Sequence, residues 1–132
     1  MALINIPTSA DIYIEVNGRR VAAAQSYKVT SARESRYIEA FGSQEPVATV
    51  GGRIKHKIQL TRVELCGALE DGVDFYGLED FNLVIVKPGR KVIYSGCQWA
   101  EITQGASVNE VVLESAVLVA SRRMALRPGQ VV

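Results

Sequence analysis

Residues 27 to 60 read YKVTSARESRYIEAFGSQEPVATVGGRIKHKIQL. The two ends of this stretch, residues 27–31 and 53–60, alternate apolar and polar side chains, which predicts two β-strands. The segment between them, residues 32–52, is much longer than the roughly two to six residues that usually join neighbouring strands. We therefore expect this segment either to be disordered or to carry function.

The composition of residues 32–52 argues against disorder. Disordered segments are poor in aromatic and β-branched residues, whereas this one places Tyr37, Ile38, Phe41, Val47 and Val50 among its charges. Exposed apolar patches usually mark contact surfaces. We interpret the segment as a projecting hairpin that binds a partner, most simply another copy of the chain. The alternative is that residues 37–41 fold back as an edge strand on the chain's own domain.

Length and charge predict a single domain with no strong affinity for polyanions. A chain of 132 residues can bury its own core without metals or disulfides. Its net charge of +1, from 15 Lys and Arg and 14 Asp and Glu, excludes a strongly basic binding domain. Acidic residues concentrate in residues 61–86 and basic residues in residues 87–132. Separated patches of opposite charge suit the assembly of identical copies.

We expect the chain to be made in the cytoplasm and not to enter a membrane. Its first residues lack a basic segment followed by an apolar core, and no run of about 18 apolar residues occurs. Cys66 and Cys97 lie far apart and have no metal-ligand spacing. We expect both thiols to be reduced, with a disulfide between them as the less favoured alternative.

Strand patterns extend over most of the chain. Residues 11–16 alternate, and Asn17-Gly18 predicts a tight type I′ hairpin turn after them. Alternation is lost after residue 62, where glycines limit any helix to a short one. Further strands are predicted at residues 81–86, 91–95, 97–102 and 109–121. We divide the chain into an N-terminal arm at residues 1–10, one domain at residues 11–123 and a tail at residues 124–132.

The strand predicted at residues 109–121 is apolar on both faces. We place Val111, Leu113, Val117 and Val119 on one face and Val112, Glu114, Ala116, Leu118 and Ala120 on the other. A strand of this kind must be covered on both sides. Because an isolated buried carboxylate costs several kcal/mol, we expect Glu114 to meet a cation, a backbone donor or a subunit boundary.

Residue combinations typical of enzymes are missing from the sequence. The single histidine, His56, lies on the apolar side of a predicted strand and is interpreted as a packed residue. The chain has no Gly-x-Ser-x-Gly elbow and no glycine-rich phosphate loop. The carboxylate pairs at 70–71 and 79–80 flank glycine turns and are interpreted as solvated charges. We predict no enzymatic activity, no catalytic residue, no cofactor and no metal ion.

The order of the elements carries a further signal. It comprises an Asn-Gly hairpin, a long charged loop, a long basic strand, one short helix, a Pro-Gly hairpin and a final apolar strand. The residues that carry it are Asn17-Gly18, Arg33-Glu34-Ser35, Ile38-Glu39-Ala40-Phe41-Gly42, Lys87-Pro88-Gly89-Arg90, Tyr94-Ser95-Gly96-Cys97 and 111–121. Over residues 11–123 this pattern resembles phage tail tube proteins, including the tubes of contractile bacteriocin particles and, more remotely, the type VI secretion tube protein. The resemblance is one of element order, without an invariant motif.

The resemblance implies a mainly β fold, an antiparallel β-sandwich or small barrel with one short flanking helix and a long protruding loop. It implies hexameric rings that stack into a hollow conduit in the tail of a virion or phage-like particle. The expected partners are other copies of the chain and the tail sheath, baseplate and tape-measure proteins. DNA that passes through the bore is not expected to be recognised by sequence.

In that family the long loop contacts the neighbouring ring, and both terminal arms commonly contact adjacent subunits. The intersubunit contacts expected here are Arg33, Glu34, Arg36, Tyr37, Ile38, Glu39, Phe41, Gln44, Glu45 and Glu114. Candidates for the wall of the bore are Lys55, Lys57 and Gln59. Two alternatives remain: a tube initiator or baseplate adaptor that forms a single ring, and a soluble β-barrel binding module.

Overall fold

In a computed structural model, which describes residues 11–65, 75–104 and 112–127, the chain folds almost entirely into β-strands. The strands are β1 (Asp11–Val16), β2 (Arg19–Arg33), β3 (Arg36–Ile38), β4 (Ala48–Val50), β5 (Ile54–Leu65), β6 (Phe81–Lys87), β7 (Arg90–Thr103), β8 (Val112–Ala120) and β9 (Arg122–Leu126). The expected mainly β, antiparallel fold is confirmed. No helix within the described ranges is long and apolar enough to cross a membrane.

The region expected to hold a short helix differs in part from the prediction. Strand β5 continues to Leu65, and Phe75–Gly77 form a single 3₁₀ turn. Residues 66–74, on which the rest of this prediction falls, lie outside the described residues.

Seven strands form one sheet in the order β6-β1-β2-β5-β8-β7-β9, and a further pairing of β6 with β7 closes six of them into a small barrel. Strand β7 closes the barrel because it is long enough to pair with β6 through one half and with β8 through the other. Its first half lies between β6 and β9, and its second half pairs with β8. Gly96 lies between the halves with φ of 62°, and a Cβ there would collide with the Ser121 side chain. Glycine therefore permits the bend.

The first hairpin forms as its turn residues predict. Asn17 has φ of 51° and Gly18 has φ of 79°, the two positive values that a type I′ turn requires. The turn sets β1 against β2, with Val16 opposite Arg19. Local turn chemistry thus determines the register at the start of the barrel.

The barrel interior is filled by apolar side chains from β1, β2, β5, β6, β7 and β8. The fully buried large side chains are Phe75, Phe81, Ile14, Ile58, Leu60, Leu83, Ile85, Leu118, Val63, Val84 and Cys97. His56 is buried with them, as predicted for a packed histidine. A hydrogen bond of 2.8 Å joins its Nδ1 to Ser31 Oγ, and its ring meets that of Tyr94 edge to face. Ile54 has the same place in the alternation as His56 and Ile58, but it is 54% exposed because it lies beyond the end of the barrel core.

The faces predicted for the last apolar strand are correct from Ala116 to Ala120 but wrong at Leu113 and Glu114. Leu113 is buried together with Ala116, Leu118 and Ala120, although we placed it on the opposite face with Val119. The reason lies in the neighbouring strand, where Arg62 has φ of 52°. Arg62 and Glu114 are not paired in the ladder of β5 with β8, which passes from Thr61 opposite Ser115 directly to Val63 opposite Leu113. This irregularity reverses the side-chain alternation partway along both strands.

The end of the domain also lies further along the chain than predicted. We placed residues 124–132 in a tail, but β9 pairs with β7 as far as Leu126, opposite Lys91. Strand β9 begins one residue after the end of β8. The residue between them, Ser121, is bonded to β7 through its backbone N–H, which donates to the Ser95 carbonyl. The basic residues Arg122 and Arg123 are compatible with this position because both are exposed.

Candidate assembly interface

Residues 34–53, here called the arm, form a hairpin of their own. Strand β3 pairs with β4, with Arg36 opposite Val50 and Ile38 opposite Ala48, in a two-stranded sheet separate from the barrel. The arm follows directly on the ladder of β2 with β5, which ends at Arg33 opposite Ile54. Residues 37–41 therefore belong to a projecting hairpin, and the alternative of an edge strand on the barrel does not occur.

Hydrogen bonds within the arm hold its far end. The Val47 N–H donates to the Ile38 carbonyl at 2.9 Å, and the Ser43 N–H donates to the Ala40 carbonyl at 3.2 Å. The Ser43 hydroxyl donates to the Glu45 carbonyl at 2.6 Å. These three hydrogen bonds lie within the arm and do not involve the barrel.

Two of the predicted contact residues brace the root of the arm. Lys55 Nζ donates to the Glu34 carboxylate at 2.8 Å, and Arg33 Nε donates to the Gly52 carbonyl at 3.2 Å. The hydrogen bond from Lys55, together with its charge, lowers the pKa of Glu34. The Glu34 N–H also donates to the Arg53 carbonyl. Arg33 and Glu34 therefore have partners within their own chain.

The apolar side chains of the arm are exposed. Phe41 is fully exposed, Tyr37 is 69% exposed and Val47 is 58% exposed. Residues opposite each other in an antiparallel pair share a face, so Ile38 and Ala48 lie on one face of the hairpin and Tyr37 on the other. Apolar surface is therefore exposed on both faces of the hairpin. Packing one face against the barrel of the same chain would still leave the other face uncovered.

The charged side chains further along the arm are also available for contact. Arg36, Glu39, Gln44 and Glu45 are all exposed. In the part of the chain that the structure describes, Arg36, Glu39 and Glu45 form no ion pair. The intersubunit contacts predicted for these four residues, for Tyr37, Ile38 and Phe41, and for Arg33 and Glu34 at the arm root stay predictions.

Glu114 is exposed, so the expectation that it is buried within an apolar strand was wrong, whereas its expected contact with another subunit stays a prediction. The irregularity opposite Arg62 turns this position away from the barrel core. Its carboxylate therefore needs no buried cation to offset desolvation.

The outer face of strands β2, β5, β8 and β7 carries the side chains predicted to line a bore. Lys55, Lys57 and Gln59 are all exposed on this face, opposite to the buried side chains of β5. A shallow hollow runs across the face, lined by Lys28, Thr30, Lys57, Gln59, Glu101, Ser115 and Val117. Sequence reasoning missed Lys28 and Glu101, although the exposed alternation of β2 could have indicated Lys28.

The two outer strands of this four-stranded face, β2 and β7, each have an unpaired edge within the described ranges. Strand β1 pairs with β2 only as far as Ala24, so residues 25–33 pair with β5 alone. Strand β6 pairs with β7 only as far as Cys97, so residues 98–103 pair with β8 alone. Exposed strand edges are templates for pairing with another chain. Nothing in the local residue pattern indicates which strand edges the fold leaves open.

Cys97 lies in the barrel core. Cys97 is a free, buried thiol whose Sγ donates to the Tyr94 carbonyl at 3.2 Å. Burial, reinforced by the negative charge of Asp80, raises the pKa of Cys97 to about 11, although a backbone hydrogen bond from Leu83 opposes the shift. Among the described residues, no group of three His, Cys, Asp or Glu side chains is placed to hold a metal ion.

Comparisons with known proteins identify a similar structure but no family. No protein-family model matches the chain, and no curated protein matches it. The chain is similar to the cryo-EM structure of the anti-feeding prophage cap, described as the AFP tube terminating cap. The TM-score is 0.48 and the identity 14%, over 96% of this chain and 94% of that one.

Proposed function

We propose that this chain is a structural subunit of a phage or phage-like tail tube. In this proposal copies form hexameric rings, and stacked rings form a hollow conduit. The observation that carries the proposal is the arm, a hairpin held by its own hydrogen bonds whose apolar residues, including the fully exposed Phe41, lie in solvent on both faces. Such a patch on a soluble chain is expected to be covered by a partner.

The arm suits contact between stacked rings. It begins where the ladder of β2 with β5 ends, and in this proposal it extends beyond that end of the barrel. If the strands run roughly along the tube, the arm reaches the next ring and buries Tyr37, Ile38 and Phe41 there. Arg36 and Glu39 then supply charges that orient the contact.

Contact within a ring uses the two open edges. Joining residues 98–103 of one copy to residues 25–33 of the next extends the four-stranded face around the ring. A closed ring of such joints removes every exposed edge of this face. In this arrangement the outer face of β5, with Lys55, Lys57 and Gln59, lines the bore.

The role is structural and non-enzymatic. The tail sheath would surround the tube in a contractile particle, the baseplate would hold its first ring, and a tape-measure protein or DNA would occupy the bore. The Lys55 charge is partly neutralised by Glu34 at 2.8 Å, which lessens the attraction of this wall for a passing polyanion.

Negative-stain electron microscopy of the concentrated full-length protein tests the proposal. Long tubes of stacked rings are the expected result. Single rings that do not stack would instead identify a tube initiator or baseplate adaptor. A protein that remains monomeric at high concentration, by sedimentation velocity and by microscopy, would identify a soluble β-barrel module and overturn the proposal.

A further inference from the structure

Lys28 and Glu101 lie at the two ends of one row of side chains across the four-stranded face. Lys28 of β2 is opposite Gln59 of β5, Gln59 is opposite Val117 of β8, and Val117 is opposite Glu101 of β7. All four residues line the same shallow hollow, so the row lies on one face. The row begins and ends at the two open edges.

These two charges cannot pair within one chain. Three spacings of about 4.8 Å separate β2 from β7, so the two backbones are roughly 14 Å apart. Neither Lys28 nor Glu101 forms an ion pair with any described residue, and both are exposed. Opposite charges thus stand unpaired at opposite ends of the same row.

Strand direction allows these edges to join. Each neighbouring pair among β2, β5, β8 and β7 is antiparallel, so β2 and β7 run in opposite directions. A rotation about an axis roughly parallel to the strands keeps each strand's direction. The β7 edge of one copy therefore meets the β2 edge of the next as an antiparallel pair, the same arrangement as inside each sheet.

We propose that Lys28 of one copy pairs with Glu101 of the next and sets the register of the joint within the ring. This inference rests on the proposed function and names the residues of its lateral contact. Side chains directly opposite each other in an antiparallel pair have Cβ atoms about 5 Å apart, close enough for an ion pair.

The charge pattern of the edges favours this register over its neighbours. Glu101 is the only charged residue in residues 98–103. In residues 25–33 the charged residues are Lys28 and Arg33, and Arg33 already donates to the Gly52 carbonyl at the arm root. A shift of two residues along β2 would place Glu101 opposite Ser26 or Thr30. A shift of one residue would move the side chains to opposite faces. The proposed register alone brings the two unpaired charges together.

Apolar packing favours the same register. With Lys28 opposite Glu101, Tyr27 lies opposite Ile102. Both are only partly buried and pack against the barrel core from the open edges. Joining the edges would bring them into contact and cover the apolar surface that each leaves exposed.

Charge reversal followed by charge exchange tests the proposal. Wild type, Lys28→Glu, Glu101→Lys and the double variant are compared by sedimentation velocity and electron microscopy at about 0.15 M salt. Each single variant should weaken ring formation at least about tenfold, and the double variant should recover most of the loss. Lys91→Glu makes the same charge change at an exposed position of β7 that is paired on both sides, and is the matched control that should leave ring formation within about threefold of wild type.

The outcomes separate this inference from the proposed function. If the wild type assembles but the single variants assemble equally well, or the double variant is no better than either single variant, the ion pair is overturned and the tube remains. If the wild type never assembles, both fail. Hydrogen exchange on dilute wild-type monomer should find the backbone of residues 25–33 unprotected on its open edge. Protection there before assembly would mean that another part of the chain covers the edge, and would overturn the joint.

Discussion

Lys55 Nζ lies 2.8 Å from the Glu34 carboxylate and joins the first residue of the arm to strand β5. With the hydrogen bond from Arg33 to the Gly52 carbonyl, this pair fixes where the arm leaves the barrel. Both side chains of the ion pair are about 70% exposed, at 70% and 72%. Exposed pairs add little to global stability, so we assign this pair a local role in orienting the arm.

Replacing Lys55 with Met should raise the pKa of Glu34 towards its ordinary value of 4.5, because the hydrogen bond and the positive charge that lower it are lost. NMR titration of the Glu34 side chain measures this shift. In the wild type the folded pKa is below the unfolded one, so the contribution of Glu34 to stability is present above about pH 4.5 and is lost as pH falls through the folded pKa. An unchanged Glu34 titration in the variant would show that the ion pair does not persist in solution.

Replacing Tyr37 and Phe41 together with Ser should abolish ring stacking and leave the melting temperature of the monomer nearly unchanged. Both side chains are exposed in the single chain, at 69% for Tyr37 and in full for Phe41, so removing them takes nothing from the core. Electron microscopy and differential scanning calorimetry measure the two effects.

The matched control for that variant is Leu60→Ala in the barrel. Leu60 is completely buried, so this change should cost about 2–5 kcal/mol of unfolding free energy. A loss of comparable size from the Tyr37 and Phe41 variant would mean that the arm packs on its own barrel.

Reversing the charge of Arg36 should weaken stacking without loosening the arm. Arg36 is exposed and forms no ion pair with the described residues, whereas Arg33 donates to the Gly52 carbonyl. We therefore expect Arg36→Glu to shift the stacking equilibrium alone and Arg33→Glu to raise hydrogen exchange at the arm root as well. Equal exchange in the two variants would contradict this division of roles.

The Cys97 thiol should be inert in the folded protein and reactive after unfolding. Its pKa is raised from 9.0 to about 11, chiefly by burial. With Cys66 replaced by Ser, labelling by iodoacetamide at pH 8 should be slow in buffer and fast in denaturant. Rapid labelling of the native protein would show that the β6 and β7 region opens readily.

The same shift has a consequence for stability at alkaline pH. Between pH 9 and about 11 the folded state holds the Cys97 proton more tightly than the unfolded state, so the free energy of unfolding should fall as pH rises. A Cys97→Ala variant, compared by urea denaturation at pH 8 and pH 10, should lose this part of the pH dependence.

The strands were largely predictable because their signals are local. The alternation around Ile12 and Ile14, the turn at Asn17-Gly18 and the exposed alternation of Lys55, Lys57 and Gln59 all match the structure. The arm was also recognisable, since a long connection with several apolar residues is unusual between paired strands.

The errors arose where one strand depends on another. The positive φ of Arg62 in β5 changes which side chains of β8 face inwards, so Leu113 is buried and Glu114 is exposed. The sequence of β8 alone could not predict this change, because it gives no information about the backbone of β5. Likewise, the pairing of Glu34 with Lys55 could not be predicted locally, because the two residues are 21 positions apart in sequence. The intersubunit contact expected for Glu34 stays a prediction.

Residue patterns within short segments were therefore enough to place most strands, the first turn and the apolar arm, because alternation and turn chemistry act between near neighbours. The tertiary structure alone decided that six strands close into a barrel, that β2 and β7 each keep an open edge, and that Lys28 and Glu101 end the same row. Cross-strand pairing relates residues far apart in sequence, and it is this pairing that determines which edges and charges remain available to another copy.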